Sequence, residues 1–537
     1  MIRALWLLLA GAAHALAFAP GPLPAGGLAL VQTAALAVLA YAVWRSPIPR
    51  RAATAGFWFG LAHFGVGVYW VFISLHVYGQ MAVPLAFLGV SAFVVMLALF
   101  PALAGGVVRW LVPAGGRGMA ERWWFTGAFA TVWTAAEWLR GTVFTGFPWL
   151  NVGYAHVDGW LAGWAPVLGV YGVAWWAAWS SAVLLGFGVA WRQRLDQRAA
   201  WSVALVVPWL VGLGLAQNPW GVQDHGQPLP MRLVQGNVSQ SNKFDPDLIL
   251  GTLDRHAQLA AVRSTEPGFR PEVVILPETA IPLFQDQMPV PLWQPWRDVA
   301  GYWGGTVVTG IALHTATADG ESRYTNSVIG FDSDVSPFAL INGRVPWRYD
   351  KAHLVPFGEF VPPGFRWFVD AMVMPMGDFN RGAPRQLPFQ LGEQRVAFNI
   401  CYEDAFGEEL LPALHRGADG SEGATILANV SNLGWFGDSW ALRQHWQIAR
   451  MRSIETARPT VRATNTGMTG VIDRHGQVVE MLPPHTTGVL DIAVQGTTGY
   501  TPYARWGNVA MLVWLAAGLS LILHRRWQGR WRGAEAA

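Results

Sequence analysis

A chain of 537 residues with 52% hydrophobic and only 13% charged residues, 31 of them tryptophan overall, is too apolar to be wholly water-soluble, since soluble domains carry about 25% charged residues. A net charge of +3 is too small to argue for a nucleic-acid partner, and a single cysteine excludes an intrachain disulfide and a cysteine-based zinc cluster. The length suggests more than one domain.

Up to about residue 217 the chain is a series of apolar segments: 2–18, 27–44, 54–75, 83–108, 123–139, 163–191 and 200–216. An eighth, 508–524, lies near the C-terminus. Each approaches the roughly 20 residues that cross a bilayer as a helix. Arginines occupy every second connection. Arg3 opens the first segment, and Arg45, Arg50 and Arg51 follow the second. Arg109, Arg117 and Arg122 separate the fourth from the fifth, and Arg192, Arg194 and Arg198 the sixth from the seventh. Arg525, Arg526, Arg530 and Arg532 follow the eighth, whereas the turns 19–26 and 78–82 carry no charge. Cytoplasmic loops are the basic ones, so both termini are expected in the cytoplasm and the long segment between helices seven and eight on the far side. The expected organisation is a membrane domain of seven helices over 1–217, a far-side domain over 218–506, an eighth helix over 507–525 and a cytoplasmic tail over 526–537. The first segment also reads as a cleaved signal peptide, with Arg3, an apolar run and alanines near 13–19. A retained helix is preferred because the next loop is short and uncharged, and the residues leave both readings open.

Between the fifth and sixth segments, 140–154 is aromatic and rich in Gly and Pro, and includes Trp149. It reads as an interfacial belt and a lipid-facing rim. Glu137 and Arg140 beside it are placed to pair. From Pro228 the texture changes. Runs 231–235, 273–276, 306–311, 326–331, 395–400, 424–428, 460–464, 470–473, 478–482 and 488–492 predict strands. Stretches 247–263, 291–303, 408–416 and 439–457 predict helices. The pattern is that of one α/β domain.

Three stretches of this domain carry reactive groups. Val273–Leu276 is a buried run that delivers Glu278 just after Pro277. The stretch 347–360 contributes Lys351 and, after a Gly turn, Glu359. An apolar run, 396–400, leads into Cys401, the sole cysteine, with Tyr402, Glu403 and Asp404 directly after it. Singly, each has a plain explanation: strand-end Glu and loop Lys are usually solvated, and a lone Cys is usually a small core hydrophobe. Together they make an acyl-transfer set. A thiol needs a base or a nearby cation to act as thiolate at neutral pH. A glutamate can take its proton, and a lysine ammonium can stabilise thiolate and oxyanion. No metal or cofactor is called for.

The stretches Leu276-Pro277-Glu278-Thr279, Tyr349-Asp350-Lys351 through Glu359, and Asn399-Ile400-Cys401-Tyr402-Glu403 resemble the nitrilase, or carbon–nitrogen hydrolase, superfamily. The flanking helices, Gln235 through Gln240, Gly146-Phe147-Pro148-Trp149, Tyr324-Thr325-Asn326-Ser327 and Gly434-Trp435-Phe436-Gly437 extend the likeness over nearly the whole chain. That wider pattern resembles the apolipoprotein N-acyltransferase family. One position departs from it: the family often has Trp before Asp-Pro, and here Phe244 precedes Asp245-Pro246, which keeps an aromatic surface without an indole donor.

The resemblance implies a membrane protein of eight transmembrane helices with an extracytoplasmic α-β-β-α sandwich and a Glu278, Lys351, Cys401 triad. It implies the bacterial inner membrane, with the catalytic domain in the periplasm. The implied reaction has two steps. Cys401 takes an acyl chain from a phospholipid, typically the sn-1 chain of phosphatidylethanolamine, as a thioester. The α-amino group of an apolipoprotein's N-terminal diacylglyceryl-cysteine then accepts it, the last step of lipoprotein maturation. Glu278 is the implied base and Lys351 the oxyanion partner. Glu359 and Glu403 would orient them, and Tyr402 would shape the pocket. A thioester must be kept from water, which makes Trp367, Phe368, Met372, Met374, Met376, Trp435 and Phe436 candidate covers. Phe244, Trp149 and Asn326 are further substrate-facing candidates. The stretch 365–379 is expected to dip into the interface as a lid, although an ordinary packed loop fits it equally well.

Two rivals stand beside this reading. A membrane-tethered amidase would use the same triad with water as acceptor. A transporter with an outer binding module would place charges deep in several helices, and these helices are nearly free of them. No Gly-x-Ser-x-Gly elbow, His-Glu-x-x-His helix or Walker loop occurs.

Overall fold

The computed structural model describes residues 2–19, 21, 23–114, 118–191, 195–316, 319–369, 378–417 and 420–535. The chain divides into two compact units. The first comprises Met1–Val71, Pro84–Pro219 and Thr501–Ala537, the second Phe72–Val83 and Trp220–Tyr500. The short segment Phe72–Val83, read from sequence as part of a helical platform, thus groups with the α/β unit.

Each of the eight apolar segments is helical in the first unit, as Ile2–Leu16, Ala25–Trp44, Pro49–Gly67, Val83–Leu111, Met119–Arg140, Ala165–Trp191, Leu195–Ala216 and Val509–Glu535. Among the described residues five helices are long and apolar enough to cross a membrane, or six if Pro49–Gly67 and Trp70–Tyr78, bent by 51°, count as one span. The other expected spans fall outside this count for physical reasons. Ile2–Leu16 is short, with 15 residues. Met119–Arg140 carries Glu121, Arg122, Glu137 and Arg140. The third expected helix breaks after Gly67. Large apolar side chains such as Phe87, Leu88, Leu99, Val203, Val206 and Leu210 point outward, as lipid-facing surfaces require. Small residues let the helices approach: a Cβ on Gly163 would sit 1.8 Å from the Gly212 carbonyl oxygen.

The second unit holds thirteen strands among its described residues. They are β1 Gln223–Gln235, β2 Val273–Ile275, β3 Ile281–Phe284, β4 Thr306–Ala316, β5 Ser322–Phe331, β6 Trp347–Asp350 and β7 Phe389–Leu391, followed by β8 Gln394–Ile400, β9 Ile426–Ser431, β10 Thr460–Thr464, β11 Gly470–Ile472, β12 Val478–Met481 and β13 Gly488–Thr498. One sheet runs β13-β1-β2-β4-β5-β6, with β3 paired to β4, and the other β12-β11-β10-β9-β8-β7. Alternation along each strand sorts side chains between two faces. On β1 and β2, Met231, Leu233, Val273 and Ile275 meet Val396, Phe398, Ile400, Ile426 and Ala428 of the second sheet in one core. Their neighbours Val234 and Val274 face the other way, onto Leu253, Trp293, Trp296 and Val299 of helices Ile249–Ala261 and Val290–Trp303. On the outer side of the second sheet, Trp446 and Ala449 of helix Trp440–Thr456 pack on Ile472. The layers are therefore α-β-β-α. Each fully buried Val, Leu or Ile contributes roughly 1.5–3 kcal/mol, so the inter-sheet layer fixes the strand ends firmly.

Three short strands were not expected: β3, β6 and β7. β1 is also longer than expected, because its first half pairs with β13 alone. Pro228 and Pro230 fall in that half, where a missing N–H can face a side without a ladder.

Candidate active site

Three strand ends converge in chemistry. β2 runs into Leu276-Pro277-Glu278, β6 into Lys351, and β8 into Cys401. β2 and β4 are parallel, and β5 is antiparallel to both β4 and β6. The carboxyl ends of β2 and β6 therefore lie at the same edge of their sheet.

Cys401 follows the fully buried end of β8 and is itself half-buried. Its φ is +55°, in the left-handed region. Such a conformation in a residue with a Cβ costs about 1–3 kcal/mol and needs surroundings that impose it. Those surroundings grip its carbonyl oxygen, which accepts from Asn429 Nδ2 at 3.1 Å and His445 Nε2 at 3.2 Å. Burial raises the thiol's pKa, Glu278 adds to the rise, and Lys351 opposes it. The net direction favours the protonated thiol over the thiolate.

Lys351 is buried among carboxylates. Its Nζ donates to Glu359 Oε1 at 2.9 Å and lies 3.5 Å from Glu278 Oε1. Burial alone would lower this ammonium, but Glu359 and then Glu278 outweigh it and raise its pKa, so it stays charged. Asn326 bridges the two glutamates. Its Nδ2 donates to Glu278 Oε1 at 2.8 Å and to Glu359 Oε1 at 2.7 Å. Main-chain amides satisfy the outer oxygens: Asn432 N donates to Glu278 Oε2 and Val355 N to Glu359 Oε2, both at 2.8 Å.

Glu403 acts on backbone rather than on the ammonium directly. Its Oε1 accepts from Ala352 N at 2.7 Å and His353 N at 2.9 Å, and its Oε2 from Ile400 N at 2.7 Å and Tyr349 Oη at 2.9 Å. It therefore ties the chain after Lys351 to the chain before Cys401. Burial pushes its carboxyl up to about 7, against the pull of Lys351 and the amides. Tyr402 sets its ring against His353 and Phe406.

The remaining candidates scatter. Asn326, expected to face substrate, is buried and committed to the two glutamates. Trp149 belongs to the first unit, where it is buried, ring centroid 5.5 Å from that of Trp70, its carbonyl accepting from Arg140 Nη1 at 2.6 Å. The expected Glu137–Arg140 pair is there, at 3.9 Å. Phe244 is 39% exposed. Trp435 and Phe436 are half-buried on the short turn after Asn432, with the Tyr78 ring edge-on to Trp435. Trp367 is 65% exposed on the short helix Arg366–Val369, which includes Phe368. Met372, Met374 and Met376 lie outside the described residues.

Two arrangements at the site escaped the sequence reading, the first around Asp404, which stood there only as a carboxylate after Cys401. Asp404 accepts from His445 Nε2 at 2.5 Å and from Arg462 Nη1, and Arg462 Nη2 donates to His445 Nδ1 at 3.0 Å. Nε2 faces the Asp404 carboxylate and the Cys401 carbonyl, both acceptors, and Nδ1 accepts from Arg462, so Nε2 carries the proton and the ring is neutral. Burial would raise the Asp404 carboxyl, but His445 and Arg462 more than offset this and lower it. The second is Lys243, buried beside Glu278, whose carbonyl oxygen accepts from its Nζ at 3.0 Å. A lysine within an aromatic, polar loop was the only available signal. Among the described residues no three His, Cys, Asp or Glu side chains are grouped to hold a metal ion.

A thiol on a strained strand end, with buried glutamates and a lysine at two neighbouring strand ends, defines a nitrilase-type unit, and residues 232–503 match the carbon–nitrogen hydrolase family model. Residues 10–183 match the apolipoprotein N-acyltransferase N-terminal domain. An apolipoprotein N-acyltransferase of Bordetella bronchiseptica is 53% identical over 527 residues, covering 96% of this chain and 95% of that protein. One of Ralstonia nicotianae is 42% identical over 522 residues, covering 96% and 91%. A solved CN-hydrolase superfamily protein of Xanthomonas campestris covers 50% of this chain and 91% of its own, with a TM-score of 0.36 and 18% identity. The chain belongs to the apolipoprotein N-acyltransferase family.

Proposed function

We propose that this protein moves an acyl chain from a phospholipid, through a thioester on Cys401, to the α-amino group of an apolipoprotein's N-terminal diacylglyceryl-cysteine. The observation that carries this is the set of three strand ends: Cys401 in a strained conformation, with Glu278 and Lys351 joined at 3.5 Å. In the first step Glu278 takes the thiol proton and the sulfur attacks the ester carbonyl carbon. Lys351 donates to the oxyanion as the C–S bond forms. Collapse breaks the ester C–O bond, and Glu278 returns its proton to the departing lysophospholipid. In the second step the acceptor ammonium, whose reference pKa is about 8, gives one proton to solvent. The amine attacks the thioester carbon, Glu278 takes the second N–H proton as the amide forms, and it passes that proton to the Cys401 sulfur as the C–S bond breaks, which restores both thiol and carboxylate. Glu359 holds Lys351, and Glu403 fixes the backbone between Lys351 and Cys401.

The apolar helices and the alternating arginines support a multi-pass protein of the bacterial inner membrane, with eight spans, both termini cytoplasmic and 218–506 in the periplasm. The acyl donor assigned is phosphatidylethanolamine. Trp367, Phe368, Trp435, Phe436 and the methionines of 372–376 are assigned to shielding the thioester, and Phe244 and Tyr402 to shaping the acyl pocket.

The test is mass spectrometry of the purified protein after incubation with phosphatidylethanolamine. One acyl mass on the Cys401 peptide, absent in Cys401→Ala and discharged by a diacylglyceryl-cysteine peptide, is the expected result. Free fatty acid released at the same rate without the peptide would make the protein a hydrolase.

A further inference from the structure

The active centre contains a second buried ammonium. Lys243 lies in the loop after β1 and is 0% exposed. Its Nζ donates to the main-chain oxygen of Glu278 at 3.0 Å. Taking an ammonium out of water costs several kcal/mol even after relaxation, so the position calls for a charge partner. Anchoring the loop does not explain it. Gln235 Nε2 already donates to Pro483 O at 2.8 Å and Thr486 O at 2.7 Å, and Asn237 N and Val238 N both donate to Asn465 at 2.9 Å. Capping one carbonyl needs only a neutral donor.

Charge balance does explain it. Glu278 and Glu359 share one ammonium, that of Lys351. The titratable groups that face Lys243 are Glu278, Cys401 and His256. His256 is buried and held neutral, pushed by burial down to about 4, with Nδ1–H donating to Thr252 O. Glu278 and Cys401 are therefore the anions, actual and incipient, that Lys243 can answer.

We propose that Lys243 is the second counter-cation of the centre: it seats Glu278 and steadies the negative charge while the proton passes between Cys401 and Glu278. The proposal rests on the reading of Cys401 as nucleophile and Glu278 as base. The S–H bond breaks, the carboxyl O–H forms, and Lys243 keeps its own proton throughout. Burial, only partly opposed by Glu278 and Cys401, brings Lys243 down to about 7. Its ammonium is thus lost as pH rises through neutrality, and the acylation rate should fall with it.

The experiment measures the rate of acyl-Cys401 formation from phosphatidylethanolamine against pH, for the full chain and for Lys243→Met, Lys243→Gln and Lys243→Arg. Lys243→Gln keeps a donor for the Glu278 carbonyl and drops the charge. Lys243→Met and Lys243→Gln should both be slower by roughly 10-fold or more, the effect of a neighbouring charge worth about one pKa unit. Lys243→Arg should keep most of the rate and move the alkaline limb upward. Wild-type rates in Lys243→Gln would overturn the proposal. So would equal losses in all three variants with an unchanged pH profile, the outcome of packing alone. Cys401→Ala and Glu278→Gln run alongside: adducts persisting there would refute the underlying reading instead.

Discussion

Both units bury imidazole, carboxylate and guanidinium groups, and they dispose of them in different ways. In the helical unit the partners close on one another. His14 and His63 meet at 3.2 Å, Gln32 Nε2 lies 3.3 Å from His14, and Gln32 Oε1 accepts from His156 Nε2 at 2.6 Å. Glu137 accepts from Val152 N at 3.2 Å, and Arg140 donates to the carbonyls of Phe147 and Trp149. The α/β unit has such closed pairs too, Arg232 with Asp491 and Arg452 with Glu455, but one further set of its buried charges converges on a thiol. Glu278, Lys351, Glu359 and Asp404 all act on Cys401. Burial of polar groups is thus no mark of a reactive centre by itself. The mark is a titratable network that ends on a nucleophile rather than on itself.

The sharpest way to break that contrast is to remove the cation the carboxylates share. Lys351→Met should lower acyl-Cys401 formation by about 10²–10³-fold, the loss seen when one oxyanion donor is removed. It should also destabilise the α/β unit by roughly 3–5 kcal/mol, because Glu359 would be left buried without its partner. Adduct formation at the wild-type rate, followed by mass spectrometry, would remove Lys351 from the mechanism. Asn326 comes next. It touches both glutamates and no cation, so Asn326→Ala removes hydrogen bonds to charged groups worth about 1.5–3 kcal/mol. Acylation should slow by about 10- to 100-fold at saturating phospholipid, with little change in KM. A change in KM alone would return Asn326 to the substrate-binding role first expected of it.

Glu278 and Cys401 stood out because each closes an apolar run that becomes a buried strand, β2 or β8, whereas Lys351 follows a strand that local pattern did not show. The eight helical segments were legible for the same reason: hydropathy is local. What was missed is long-range or hidden by local pattern. Hydropathy runs on through the break after Gly67, so the 51° bend left no trace. Strand β6 is Trp-Arg-Tyr-Asp, half-buried throughout, and carries no alternation. Asn326 lies 48 residues from Glu278 and Lys243 lies 35, so no spacing links them. Helix Trp440–Thr456 is buried on nearly all sides although Gln444, His445, Arg452 and Glu455 are polar. Its His445 answers Asp404 and the Cys401 carbonyl, a partnership that only the folded chain displays.

The smallest expected effect on catalysis lies in the helical unit. His63 bonds to His14, and its ring also stacks on Phe59 and lies tilted against Phe64. His63→Ala would open a void and leave His14 with one partner fewer. Loss of a buried hydrogen bond that strands its partner costs about 1–3 kcal/mol, and the void adds to it. The thermal midpoint in detergent should fall accordingly. Acylation per folded molecule should stay within about 3-fold of wild type, since no reacting group is touched. Acylation reduced 10-fold or more in protein that remains folded would erase the contrast between the two networks. It would mean that the helical unit's imidazoles take part in the reaction after all, through substrate or through the lipid-facing helices that carry them.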